Sequence, residues 1–271
     1  AEYGADYPDI QSIKNCRDKY ISKQIWEENG VRCPSVCPVN SAEDAANFLT
    51  QCQKGIVLKP FCGSGSELVF HCRSQVECIR AFGTLKAGLE KRRQNRLFDH
   101  LFSEKYQMLA EAYIEGPEYS CDFIIDHKEV RILRFSKKIK YRKQPFGTAS
   151  GYILFPALPD NLSRTGFETM LLNAGRSLGI KRAVCMVDFI MDGQTPAIIE
   201  ITPRPGGDCI PFLIKEATGL DILGLTMDFA ERKALAGKGA SSFKPHIGLR
   251  IHADRPGVFN GFSTDLSTDD N

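Results

Sequence analysis

Two acidic residues and an arginine lie close together in the segment from Ala183 to Asp208. The segment predicts a β-hairpin, because two apolar runs rich in β-branched residues flank an Asp-Gly turn signal. A connection over 192–196, centred on Gln194, would pair residues whose numbers sum to 388. In that register Asp188 faces Glu200 across the two strands.

Two carboxylates that face each other need a cation between them. Like charges on opposite strands repel, and apolar neighbours such as Val187 and Ile198 make an unpaired charge costly. Thr202 shares a face with the second carboxylate because side chains alternate along a strand. A set of oxygen ligands favours Mg²⁺ or Mn²⁺ over zinc or copper. The alternative is a surface hairpin whose charges are solvated.

Arg204 follows directly, on a Pro-Arg-Pro-Gly-Gly turn at the end of the second strand. A guanidinium group in that position could meet an anion beside the metal.

A second group of residues could bind phosphate. Residues 55–60 predict a short buried strand whose Lys59 must either reach solvent or meet a negative ligand. The following loop could present backbone N–H groups and hydroxyls to a phosphate, or could be a simple turn. Its candidate residues are Gly63, Ser64, Gly65 and Ser66. Lys19 begins a helix predicted over 18–29, where a cation is unfavourable unless an anion lies nearby.

A strand predicted over 107–114 leads into an extended connector. Free backbone groups at Tyr113 and Ile114 would suit the edge of an adenine ring. Glu111 could accept a hydrogen bond from an exocyclic amine, and Glu118 could accept from a pair of vicinal hydroxyls. The alternative is a pair of exposed strand glutamates.

Composition narrows the class of protein. The 271 residues suffice for one large domain or two intimate ones, and a formal charge of +2 does not indicate nucleic-acid or membrane binding. No apolar run approaches the roughly 20 residues that span a bilayer. The ten cysteines are scattered, which predicts reduced thiols in a cytoplasmic enzyme. The basic run over 91–96 lacks interleaved aromatic residues, so it is interpreted as a solvated face.

The order of these motifs resembles the ATP-grasp superfamily, and within it the L-amino-acid ligase and carbamoyl-phosphate-synthetase-like carboxylate–amine ligases. The resemblance covers residues 15–260 and rests on motifs in a fixed order: Asp-Lys, Val-Leu-Lys-Pro with Gly-Ser-Gly-Ser, Glu-Ala-Tyr-Ile-Glu-Gly-Pro-Glu, and Glu-Ile-Thr-Pro-Arg. It implies an α+β fold in which two subdomains with antiparallel sheets clasp ATP. The implied parts are a flank and hinge helix over 1–37, a lid over 38–108, a carboxy-terminal subdomain over 109–262 and a tail over 263–271.

The resemblance also implies a role for each candidate residue. It assigns the nucleotide phosphates to Lys19, Lys59 and the lid loop, adenine to Glu111, Tyr113 and Ile114, and ribose to Glu118. It assigns Mg²⁺ to Asp188, Glu200 and Thr202, and the transferred phosphoryl group to Arg204 and Lys59. The implied reaction joins a small-molecule carboxylate to an amine through an acylphosphate and releases ADP and phosphate.

Two features depart from the family pattern. Thr202 stands where the family usually has an asparagine, and a hydroxyl is the poorer magnesium ligand. The family usually has an amino-terminal Rossmann-like domain before the Asp-Lys helix, whereas only about fifteen residues precede it here. These departures support a second hypothesis, a non-catalytic or regulatory ATP-binding module. Carboxyphosphate chemistry on bicarbonate is a third hypothesis, and the expected assembly is a homodimer or an association with the missing domain.

Overall fold

The computed structural model describes residues 6–63, 66–93, 108–141, 145–159, 161–235, 243–251, 257–258 and 260–261. Its strands form two antiparallel sheets that are covered by helices. This is the α+β arrangement that the sequence predicts.

Two helices precede the first strand, and a sharp break separates them. Helix α1 spans Ile10–Arg17 and helix α2 spans Lys19–Glu28. Asp18 ends the first helix and caps the second, because its carboxylate accepts from the backbone N–H groups of Tyr20 and Ile21. Helix α2 was predicted from its periodicity, whereas α1 was not.

The smaller sheet has four strands in the order β1-β4-β2-β3. Strand β1 spans Val36–Val39, β2 spans Ile56–Pro60, β3 spans Phe70–Cys72 and β4 spans Met108–Ala112. Helices α3 (Ala42–Leu49) and α4 (Gln75–Arg93) cover it, and their buried residues share one core cluster with the sheet. The sequence predicts a capping box at Ser41 and Asp44, because a serine is followed three residues later by an acid before an apolar run, and this box is present at the start of α3. The predicted boundaries at 37/38 and 108/109 fall inside strands β1 and β4, and the division into subdomains stays a prediction.

The larger sheet has six strands in the order β10-β7-β6-β5-β8-β9. Strand β5 spans Glu118–Asp126, β6 Glu129–Lys140, β7 Ala149–Phe155, β8 Arg182–Asp192, β9 Thr195–Thr202 and β10 Ile247–Leu249. The sequence predicts a pair of strands over 129–138 and 139–142, and this prediction is wrong because strand β6 is continuous through Lys140. Strand β7 was not predicted, because its first residues belong to a glycine-, serine- and threonine-rich stretch over 144–151 that predicts a loop.

Each face of the larger sheet packs against helices. Helix α5 (Arg164–Ser177) shares one core cluster with the sheet, and this cluster includes the fully buried Trp26 of α2. Helices α6 (Ile210–Thr218) and α7 (Ile222–Ala230) pack against the opposite face. None of the helices in the described part of the chain is both long and apolar enough to cross a membrane.

The β8–β9 hairpin pairs Asp188 with Glu200, as predicted, but its turn and its register differ from the prediction. The strands pair up to Asp192 and Thr195, so the predicted connection over 192–196 is wrong and the turn contains only two residues. Near the turn, paired residue numbers sum to 387. A β-bulge that leaves Ile199 unpaired then shifts the register by one residue. The shorter turn and the bulge shift the register in opposite directions, so Asp188 pairs with Glu200 as predicted.

Candidate active site

The two sheets enclose a cleft of about 460 Å³, with strands of both sheets in its walls. Most of the predicted site residues line this cleft. They are Lys19, Lys59, Gly63, Ser66, Glu111, Tyr113, Ile114, Glu118, Asp188, Glu200 and Arg204. Thr202 lies at the end of β9 but is not among the lining residues. Ser64 and Gly65 lie outside the described residues.

The facing carboxylates differ in their surroundings. The side chain of Asp188 is 12% exposed, whereas that of Glu200 is 30% exposed. Burial raises the pKa of Asp188, Lys138 opposes this effect and the facing Glu200 adds to it. Burial alone would raise the pKa of Glu200 as well, but Lys19 and further lysines hold it below its usual value. The pair is therefore asymmetric, and Glu200 is the more acidic member.

A lysine from strand β6 joins two of the predicted ligand sites. Lys138 Nζ lies 2.5 Å from Asp188 Oδ2 and 2.7 Å from Glu118 Oε1. Lys140 Nζ lies 2.6 Å from the other oxygen of Glu118. Burial would raise the pKa of Glu118, but these two ammonium groups lower it to about 2. Burial likewise opposes the charge of Lys138, yet Asp188 and Glu118 raise its pKa.

The carboxylate pair retains oxygen atoms that suit a hard cation. Within the described part of the chain, Asp188 Oδ1 and Thr202 Oγ1 are buried without a hydrogen-bond partner. A buried carboxylate oxygen is costly to leave unsatisfied, and Mg²⁺ or Mn²⁺ takes such oxygens as ligands. No cluster of three or more His, Cys, Asp or Glu side chains suited to a metal occurs among the described residues. The protein oxygens thus fit a cation whose remaining ligands come from phosphate or water.

The predicted phosphate-binding lysine lies in a buried ion cluster. Lys59 Nζ lies 2.6 Å from Glu111 Oε2, and Lys23 Nζ lies 2.7 Å from Glu111 Oε1. Burial lowers the pKa of Lys59 to about 8, although Glu111 opposes the shift. Burial would raise the pKa of Glu111, but the two lysines outweigh it and lower that pKa. Glu111 therefore acts first as the counter-ion of two ammonium groups.

A second buried ion pair holds the turn that carries Arg204. Arg134 Nε lies 2.8 Å from Asp122 Oδ2, and the backbone N–H of Gly206 donates to Asp122 Oδ1 over 2.8 Å. Arg134 also donates to the backbone carbonyl of Ser120 over 2.9 Å. A Cβ atom at Gly206 would lie 2.7 Å from Arg134 Nη2, so this position needs glycine.

The turn leaves Arg204 exposed at the rim of the cleft. The Arg204 guanidinium donates to the carbonyl of Pro205 over 2.8 Å. The anchored Pro-Arg-Pro-Gly-Gly turn thus presents its arginine to the cleft.

The connector after β4 lies beside an aromatic group. The ring of Tyr113 stacks on that of His71 with centroids 3.9 Å apart, and Phe146 lies 6.1 Å from Tyr113. The backbone N–H of Tyr113 donates to the carbonyl of Gly55 over 3.0 Å. The prediction that this N–H is free for a ligand is therefore wrong, because strand-like pairing with the residue before β2 continues past the end of β4.

Several residues in this region were missed from the sequence. They are Lys23, Asp122 and Phe146. Arg134 and Lys138 belong to the cation-rich stretch over 131–143, some of whose side chains the sequence allows to face a triphosphate. Lys23 follows Lys19 by one helical turn and precedes Trp26, a spacing that could have placed it on the buried face of α2. The alternation of β6 could have grouped Arg134 with Lys138. Their partners lie on other strands and could not be read from this alternation.

Comparison with known proteins decides the family. A family model described as the ATP-grasp domain matches residues 52–212, more than half of the chain. The chain belongs to the ATP-grasp family. The matched segment includes Lys59, Glu111, Asp188, Glu200 and Arg204. The predicted superfamily and its α+β fold are therefore confirmed.

Similar ATP-grasp proteins extend beyond the length of this chain. A probable alpha-L-glutamate ligase of Shewanella halifaxensis is 24% identical over 227 residues, which are 82% of this chain and 43% of that protein. The L-amino acid ligase of Bacillus licheniformis superposes with a TM-score of 0.60 at 21% identity, over 87% of this chain and 52% of that one.

A second solved structure carries bound ligands. The biotin carboxylase domain of 2-oxoglutarate carboxylase from Hydrogenobacter thermophilus was solved with MgADP, ADP and bicarbonate. It superposes with a TM-score of 0.66 at 19% identity, over 89% of this chain and 51% of that one. At such identities the structural likeness shows the shared fold. The chain spans about half the length of each of these three relatives.

Proposed function

We propose that this chain is the ATP-binding and catalytic part of an ADP-forming carboxylate–amine ligase. One observation carries the proposal: Asp188 and Glu200 face each other in the same cleft as Lys59 and Arg204. A binding protein would not need a carboxylate pair, a buried lysine and an arginine together. The names of the glutamate ligase and the L-amino acid ligase support the formation of a C–N bond.

The nucleotide would be bound along the cleft between the sheets. Lys59 and Lys19 would contact its phosphates, with Gly63, Ser66 and the rest of the lid loop closing over them. Glu118 would accept from the ribose hydroxyls, since both Lys138 and Lys140 keep it ionised. The adenine edge would meet the backbone at Ile114 and the carbonyl of Tyr113, with Glu111 accepting from the exocyclic amine.

Asp188 and Glu200 would hold Mg²⁺ or Mn²⁺, and the orphaned Asp188 Oδ1 is the best-placed donor. A divalent cation supplies charge neutralisation at phosphate oxygens. Thr202 would be a weaker third ligand because its hydroxyl is neutral. MgADP in the biotin carboxylase domain supports this choice of cofactor.

The reaction requires positioned charges rather than covalent help from the protein. A substrate carboxylate oxygen attacks the γ-phosphorus of ATP and displaces ADP, which forms an acylphosphate. An amine then attacks the acyl carbon and displaces phosphate, which leaves the amide. Lys59 and Arg204 would offset negative charge as it moves between oxygens in these steps.

The test is a phosphate-release screen of carboxylic acids against amines, with mass spectrometry to detect the amide. An Asp188→Asn variant serves as the impaired control, and Lys181→Met, a change at an exposed lysine, serves as the matched control. The proposal expects release of phosphate and an amide product for at least one pair. Phosphate release without any amide would indicate hydrolysis and overturn the ligase assignment.

A non-catalytic or regulatory nucleotide-binding module is the second candidate. Two observations favour it: Lys138 already pairs with Asp188, and Thr202 replaces the usual asparagine. ATP binding without turnover of any pair would support it. A homodimer, an association with a further domain and a cytoplasmic location stay predictions.

A further inference from the structure

Lys23 is fully buried, and the proposed function gives it no part in binding or catalysis. Its side chain is 0% exposed, and its ammonium lies 5.8 Å from the centroid of the Trp26 ring. An ammonium group in such a place costs several kcal/mol unless its protons are satisfied. Lys23 Nζ donates to the backbone carbonyl of Ile199 over 2.8 Å, and its charge is balanced by an ion pair with Glu111 Oε1 at 2.7 Å.

These two partners belong to different sheets. Glu111 lies on β4 of the four-stranded sheet, and Ile199 lies on β9 of the six-stranded sheet. Lys23 itself comes from α2, so one ammonium group joins three elements around the cleft. Lys59 reaches the same carboxylate from β2.

The hydrogen bond at the Ile199 carbonyl affects the face of the sheet to which Glu200 points. Ile199 is the extra residue of the β9 bulge, and the bulge restores the pairing between Asp188 and Glu200. A one-residue slip in a strand turns its side chains to the other face of the sheet. Without the bulge, Glu200 would turn toward the core that contains Ile198 and Ile201. The hydrogen bond from Lys23 to the bulge carbonyl therefore helps to hold Glu200 in the cleft.

We propose that Lys23 is a positioning residue that couples the two halves of the nucleotide site. Through Glu111 it sets the position of Lys59, and through the Ile199 carbonyl it sets the position of Glu200. Its ammonium would contact neither the nucleotide nor the metal. The proposal rests on the proposed function, because it takes Lys59 as a phosphate contact and Glu200 as a metal ligand.

The charge balance around Glu111 is compatible with a folded protein after this lysine is removed. Lys23 and Lys59 together provide two positive charges against the single charge of Glu111. Lys23→Met keeps an unbranched side chain that lacks only the terminal nitrogen position, and it leaves a neutral Lys59–Glu111 pair, so no uncompensated buried charge remains. Lys23→Arg keeps the charge, and Lys14→Met changes an exposed lysine of α1 as the matched control.

Titration calorimetry on the intact chain tests the proposal. It measures the affinity for MgATP, for ATP in the presence of a chelator and for adenosine. In Lys23→Met, MgATP affinity is expected to fall about tenfold or more, because Lys59 and Glu200 are no longer held at the phosphates and the metal. Adenosine affinity falls by a smaller factor, because adenosine meets Glu111 but neither Lys59 nor the metal. The gain in ATP affinity on adding Mg²⁺ shrinks, because Glu200 is no longer held. Lys23→Arg restores part of this gain, and Lys14→Met matches the wild type.

Other outcomes overturn the proposal in separable ways. An unchanged Mg²⁺ effect in Lys23→Met, or a parallel loss for all three ligands, indicates a purely structural lysine. If Lys23→Met does not fold, Lys23→Arg tests the proposal instead. Its guanidinium group is displaced from the position of the ammonium, so the gain in ATP affinity on adding Mg²⁺ must change. An unchanged gain rejects the coupling. A wild-type protein that does not bind ATP overturns the proposed function first, and this role of Lys23 with it.

Discussion

Lys138 Nζ lies 2.5 Å from Asp188 Oδ2, so the central carboxylate of the proposed metal site is already paired with an ammonium group. The same ammonium lies 2.7 Å from Glu118, the proposed ribose acceptor. Lys138 thereby connects the metal and nucleotide sites, and the protein itself balances part of their charge. A divalent cation would add to this arrangement at Asp188 Oδ1 and at the less buried Glu200.

Glu200→Gln should therefore weaken ATP binding only where the metal contributes. MgATP affinity is expected to fall about tenfold or more, because the amide oxygen is neutral, and affinity in the presence of chelator should stay within about twofold. Titration calorimetry with and without Mg²⁺ measures both values. Glu129→Gln, a change at an exposed strand residue, is the control. Equal losses in both conditions would remove Glu200 from the metal site.

Lys59→Met should discriminate between ligands that have phosphates and those that lack them. The lost ammonium is expected to weaken ATP by about tenfold or more and adenosine by a smaller factor, because phosphates meet that charge directly whereas adenine meets only its partner Glu111. Competition binding with the two ligands measures the difference. Lys54→Met is the matched control, since Lys54 is exposed and pairs with Glu115. A similar loss for both ligands would place Lys59 outside the phosphate site.

The pKa of Lys59 predicts a proton linkage. Burial lowers it to about 8 from 10.5, with Glu111 opposing the shift and Lys23 and Lys19 adding to it. In the protein without ATP, Lys59 thus loses its charge as the pH rises through about 8. Phosphate groups that bind beside Lys59 favour its charged form. ATP affinity should fall across that pH, and binding at pH values near or above it should take up a proton. Calorimetry in buffers of different ionisation enthalpy measures the uptake, and Lys59→Met should abolish it.

The same shift affects stability with a defined sign. The unfolded chain, in which Lys59 has its usual pKa near 10.5, binds more protons than the folded chain between pH values of about 8 and 10.5. The contribution of Lys59 to the free energy of unfolding therefore rises with pH across that window. Urea unfolding of the wild type and Lys59→Met at several pH values isolates the contribution. A difference between the two that is independent of pH would contradict it.

Gly206→Ala should disturb the turn that carries Arg204. The added Cβ would lie 2.7 Å from Arg134 Nη2, and relieving the contact displaces the backbone N–H that Asp122 accepts from. A destabilisation of about 1–3 kcal/mol is expected for such overpacking, together with a lower kcat. Gly207→Ala is the matched control, because its Cβ meets only Arg204 Nη1 at 3.7 Å. Equal unfolding free energies for the two variants would show that the turn is not tightly held.

Local features of the fold could be predicted from the sequence. Asp18 caps α2, Ser41 and Asp44 form a capping box, and Asp221 caps α7, because each depends on residues within one turn of a helix. Element lengths were predicted less well. The sequence predicts a helix over 220–236, whereas α7 ends at Ala230. It also predicts a strand over 244–253, of which the described part forms a strand only at Ile247–Leu249.

The sequence by itself determined the hairpin that carries Asp188 and Glu200, the lysine in the buried strand and the order of motifs that marks the ATP-grasp family. Such features depend on residues that are neighbours along the chain or on one hairpin. The register that pairs the two acids also depends on the bulge at Ile199, which the sequence did not predict. Only the tertiary structure decided that Lys23, Arg134 and Lys138 pair with Glu111, Asp122 and Asp188. The partner of a buried charge depends on how strands and helices from distant parts of the chain pack, and side-chain periodicity carries no information about that packing.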